Sequence, residues 1–104
     1  MSRGPDAATL LARALLAAAS AAGCTVTIAE SDWMRWSSAT FTGARHMVTL
    51  AAETSAAFDT WFAALPEAEF ALRGHLVADV AILRVRREGN AVTAELEILT
   101  VEER

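Results

Sequence analysis

An α+β domain is the fold class this sequence predicts: a four-stranded antiparallel sheet with two helices packed on one face. Two segments, 6–22 and 52–66, space their apolar residues at helical intervals. Other segments alternate apolar and polar residues with the period of a strand. The resulting order is helix–strand–strand–helix–strand–strand, two αββ halves of similar length, which pack most simply as one sheet with a helical layer. A chain of 104 residues, 54% of them hydrophobic, makes a single domain, 1–104, with a core that needs no disulfide.

The first helix is built almost wholly from strong helix formers. Asp6 is its cap, Gly23 its left-handed stop, and Leu11, Ala14, Leu15 and Ala18 its buried stripe. "CTVTIAE", 24–30, is a short strand with Val26 and Ile28 on one face. "SDWMRWSS" reads as a connection. A second strand spans 39–51. Phe58, Trp61, Phe62 and Leu65 then stand at i, i+3, i+4 and i+7, the clearest amphipathic signal in the chain. Thr54 or Ser55 caps this helix and Pro66 ends it. A long third strand, 70–87, places Leu72, Leu76, Val80 and Ile82 on one parity, with a bulge or bend after Ile82. "EGN", 88–90, is a turn, and Val92, Ala94, Leu96 and Ile98 mark the half-buried last strand. The expected core joins the second helix to Leu72, Leu76, Val80, Leu96 and Ile98. "RHMV" and "GHLV" make a faint echo between the halves.

Composition narrows the function classes. The net charge is −4 and no basic run of five exists, Arg84, Arg86 and Arg87 being the densest positive cluster. Nucleic acid is therefore not an expected partner, because phosphate neutralisation dominates that affinity. Cys24 is a single cysteine, so no internal disulfide forms and a reducing, cytoplasmic location is expected. The apolar stretch 7–22 contains Arg13 and has helical periodicity, which reads as a folded helix rather than a signal peptide. No membrane association is expected. Cys24, His46 and His75 lack metal-site spacing, no phosphate loop is present, and no cofactor is implied.

"GARH", 43–46, raises the question of an active site. Neighbouring strand residues point to opposite faces, so Arg45 and His46 read as one exposed and one buried residue. Gly43 marks a bulge or a place where Trp33 or Trp36 lies over the sheet. Arg73 and His75, with Arg45 from a neighbouring strand, are the ligand-binding candidates, a patch for a carboxylate or phosphate. His75 and Asp79 stand too far apart for a dyad. No acid–base pair can be placed, and the sequence leans away from an enzyme.

Helices on one face leave the other bare. Trp33, Trp36, Val77, Leu83, Val85 and Leu99 are the interface candidates, with Glu95, Glu97 and Arg84 or Arg86 as a charged rim. The expected function is non-enzymatic association: a homodimer or assembly subunit, paired through that face or through the edge of the last strand. A domain that binds a small anion at the Arg/His patch is the alternative, and an enzyme at that patch ranks behind it.

Overall fold

The computed structural model describes residues 6–103. Their order is α1 (Ala7–Ala21), β1 (Val26–Ser37), β2 (Thr42–Glu53), α2 (Ala56–Ala64), a 3₁₀ turn at Leu65–Glu67, β3 (His75–Glu88) and β4 (Ala91–Glu102). The four strands form one antiparallel sheet in the order β1-β2-β4-β3. Both helices supply side chains to one core on one sheet face, so the predicted α+β class holds.

Local chemistry sets the helix ends. The Asp6 carboxylate accepts from the Thr9 backbone N–H at 2.9 Å, satisfying one of the orphan donors of the first turn. At the other end Gly23 adopts φ 92°, and the Cys24 N–H reaches back to the Ala19 carbonyl at 3.0 Å. Ser55 caps α2 through the Phe58 N–H at 3.0 Å. Leu11, Leu15 and Ala19 are the buried residues of α1. Phe58 and Phe62 stack with centroids 5.2 Å apart, and Trp61 tilts against Phe58. They meet Val48, Leu50, Val80, Leu96 and Ile98 of the sheet in one cluster. Each such side chain contributes about 1.5–3 kcal/mol through burial.

Three features depart from the sequence expectations. "SDWMRWSS" is not a connection: β1 continues through it to Ser37, with one extra residue, Ala29, bulged between Ile28 and Glu30. Two bulges interrupt β3, at Ala78 and at Leu83, the second of them where a bulge was expected. Each adds one residue against its partner and reverses the face of what precedes it. Leu76 therefore pairs with Val101 and is 55% exposed on the open face, outside the core assigned to it. Leu72, just before the strand, is buried as expected. Finally, β4 lies between β2 and β3, so the last strand has no free edge and cannot pair through one. The echo between halves also dissolves, since "RHMV" lies in β2 and "GHLV" opens β3, strands at different places in their halves.

Candidate functional site

The strand pairings align the open-face residues into rows that cross the whole sheet. Trp36, Gly43, Val101 and Leu76 form one row; Met34, Arg45, Leu99 and Asp79 form the next. Asp32, Met47, Glu97 and Ala81 follow, then Glu30, Thr49, Glu95 and Arg84. The face is apolar toward the β1–β2 turn and charged toward the middle. Arg45 Nε contacts Glu97 Oε2 at 3.4 Å across this boundary. Met34 is 69% exposed, and Met47 and Leu76 are exposed on the same face. From Ala29 to Ser37 every residue of β1 except Trp36 is exposed, although the stretch carries two tryptophans and a methionine. Phe41, in the turn, adds another exposed ring.

Gly43 explains how the row at the end packs. A Cβ built there would overlap the Thr100 carbonyl and stand 2.9 Å from Trp36 Cζ2. The indole fills the space the missing side chain leaves, an aromatic laid over a strand glycine. Its Nε1 is buried and has no hydrogen-bond partner among the described residues.

The helix-side face of the same sheet end holds a cleft of about 150 Å³ beside the first turn of α1. Trp33, Arg35, His46, His75, Thr100 and Glu102 line it from the sheet, and Asp6, Ala7 and Ala8 from the helix. His46 is 1% exposed, and its Nε2 lies 2.9 Å from Thr100 Oγ1. The Thr100 hydroxyl also lies 3.5 Å from the Ala44 carbonyl. Nδ1 has no partner. Burial pushes the His46 pKa down, the nearby His75 adds to this, and Asp6 opposes it. Arg35 and Glu102 stand 3.9 Å apart at the mouth.

The predicted site residues scatter. Arg45 and His46 do face opposite ways, one exposed and one buried, so "GARH" is ordinary strand alternation. Arg45 lies on the open face, His75 lines the cleft on the other face, and Arg73 is exposed in the turn before β3. The anion patch of Arg45, Arg73 and His75 is therefore not assembled. The bulge at Ala78 also places His75 and Asp79 on opposite faces. Of the interface candidates, Trp36 and Leu99 lie on the open face, whereas Trp33, Val77 and Val85 pair within the helix-side rows, and Leu83 is the exposed extra residue of a bulge. Met34, Met47, Leu76 and Val101 complete the open face and Arg35 and His46 the cleft. Their signal was the period-two alternation of "DWMRW" itself, masked by its turn-forming "SD" start.

Cys24 is buried and donates to the Ala19 carbonyl at 3.4 Å, and burial raises its thiol pKa, which leaves a small core residue and no nucleophile. Among the described residues no cluster of His, Cys, Asp or Glu could hold a metal ion, and no helix is long and apolar enough to cross a membrane.

No family model matches the chain, and no curated protein does. Among solved structures, a chain described as belonging to the virion of a native gene transfer agent particle aligns with a TM-score of 0.45 and 19% identity, covering 78% of this chain and 70% of that one.

Proposed function

We propose that the protein is a non-enzymatic association subunit that pairs with a second copy of itself through the open face of its sheet. The observation that carries this reading is the exposed far half of β1 and the apolar surface it begins, the row from Trp36 to Leu76 together with Met34 and Leu99, which flank Arg45 in the next row. Apolar surface gathered on one unpartnered face is an association signal, and tryptophan is enriched where such faces bind.

A second copy suits this face in area and in charge. Four strands about 4.8 Å apart and about 40 Å long present a surface on the scale of the ~800 Å² per partner that stable interfaces bury. Opposite charges stand at the same height on its two flanks, Glu30 on β1 and Arg84 on β3, and the β3 flank also carries Arg86, Asp79 and Glu88. A two-fold axis parallel to the strands turns the β1 flank of one copy onto the β3 flank of the other and keeps every row at its height. Glu30 then faces Arg84 of the second copy, and Trp36 faces Leu76 of the second copy, each contact made twice. In a cytoplasmic setting Cys24 stays reduced, in keeping with its place in the core.

Sedimentation at micromolar concentration tests the reading. The parent should be a dimer, Leu76→Asp and Glu30→Arg monomers, and the double variant Glu30→Arg/Arg84→Glu a dimer again. Leu76 is already half in water, so its replacement leaves the fold intact, and a native-like far-UV spectrum verifies this. A monomeric parent, or a Leu76→Asp protein that stays dimeric, refutes the assignment.

A further inference from the structure

We infer that the outer edge of β1, from Glu30 to Ser37, pairs antiparallel with the same edge of a further copy of this chain, about a two-fold axis at Met34. The contact uses the strand edge and not the open face, so it extends the proposed dimer and is tested apart from it.

The sheet order β1-β2-β4-β3 leaves two outer strands, and their edges are built differently. Bulges at Ala78 and Leu83 break the edge of β3, and Arg84, Arg86 and Arg87 crowd its second half. Bulges and clustered charge keep an edge from pairing. β1 has its one bulge at Ala29 and then runs beside β2 without a shift from Glu30 to Ser37. That straight stretch is exposed except at Trp36.

The hydrogen bonds fix which groups this edge offers. At the β1–β2 turn the Ser38 N–H donates to the Phe41 carbonyl at 2.7 Å, which makes these two a hydrogen-bonded pair. Such pairs alternate along an antiparallel ladder. The backbone of Trp36, Met34 and Asp32 therefore turns toward β2, and that of Ser37, Arg35, Trp33 and Ser31 turns outward. The Trp33 N–H agrees, since it donates to the Asp32 carboxylate at 2.8 Å.

An outward row of backbone donors and acceptors is a template for one more strand. A second β1 matches it over the whole stretch, whereas β3 is interrupted by its bulges. Centred on Met34, the pairing sets Trp33 against Arg35 of the further copy on the helix side, a cation–indole contact made twice. On the open side Asp32 meets Trp36 of the further copy, so no like charges are opposed. The Arg35–Glu102 contact to be exchanged is exposed and long, at 3.9 Å.

Leu76→Asp disables the open face and so isolates the edge. In sedimentation this variant should be a monomer at micromolar concentration and a dimer at about 1 mM, because a strand edge buries less than a stable interface. At the higher concentration hydrogen exchange should slow about fivefold at the Arg35 and Ser37 amides and stay unchanged at Met34 and Trp36. Adding Arg35→Pro removes an outward N–H alone, and the protein should stay monomeric with a native-like far-UV spectrum. Adding Asp32→Ala instead frees the Trp33 N–H and should tighten the pairing about tenfold, one released donor on each strand; this variant decides the matter if the proline variant misfolds. If Leu76→Asp is already a dimer at micromolar concentration, the open face has failed; loss of that dimer with Arg35→Pro supports the edge and its survival overturns it. A monomer at about 1 mM, growth past a dimer (β3 as the occupant), uniform amide protection, or an Asp32→Ala protein that associates no more tightly each overturns the assignment.

Discussion

Replacing Gly43 by alanine adds one methyl group at the point where β1, β2 and β4 come together. The backbone there is not in the left-handed region, so the substitution meets no torsional obstacle. The obstacle is space: the new Cβ overlaps the Thr100 carbonyl and approaches Trp36 Cζ2 to 2.9 Å. A flexible side chain could swing aside, but a carbonyl within a paired strand cannot move without disturbing the β2–β4 ladder. The cost should therefore lie at the upper end of the overpacking range, about 3 kcal/mol. With a urea m-value of about 1.5 kcal/mol/M for a domain of this size, the unfolding midpoint should fall by about 2 M. Gly74→Ala is the matching control. Gly74 has φ 82° and open space around it, so alanine there meets torsional strain alone, about 1 kcal/mol and well under 1 M in midpoint. Thr100 also holds His46, so Gly43→Ala should shift the His46 ring signals while Gly74→Ala does not. A Gly43→Ala midpoint at or above that of Gly74→Ala would refute the close approach of these strands.

Phe62→Ala removes a ring that stacks on Phe58 at 5.2 Å in the core, and should lower stability by roughly 3–5 kcal/mol, read from the urea midpoint; an unchanged midpoint would mean that α2 presents another face to the sheet. His46 should make the protein acid-sensitive. Its folded pKa lies below its unfolded value because burial disfavours the charged ring, so the unfolded chain takes up the proton first. Stability from this residue is complete above about pH 6.5 and is lost as pH falls from there toward the folded pKa. His46→Gln should flatten that slope in urea midpoints measured between pH 7 and pH 5, and parallel slopes for parent and variant would remove His46 as its source.

The helices and the fold class were legible because their determinants are local. Asp6, Gly23 and Ser55 act within a few residues of themselves, and the Phe58–Leu65 spacing is set by the pitch of the helix alone. The alternation of Val92 to Ile98 was equally plain, since β4 runs without a bulge between two partners. The split of Arg45 and His46 to opposite faces followed from strand geometry for the same reason.

The site was not legible, because it depends on register. Ala29, Ala78 and Leu83 each insert one residue opposite none, and only the last was announced, by the apolar residues changing parity after Ile82. Those insertions moved Leu76 out of the core, sent Val77 and Val85 to the helix side, and separated His75 from Asp79. Only the pairing of strands remote in sequence brings Trp36 and Leu76 into one row, or places His46, His75 and Arg35 around one cleft. Sequence patterning thus determined which elements form and which face of each helix is buried. Tertiary structure decided which strand residues share a surface, because a shift of one residue in a ladder turns every side chain beyond it to the other face.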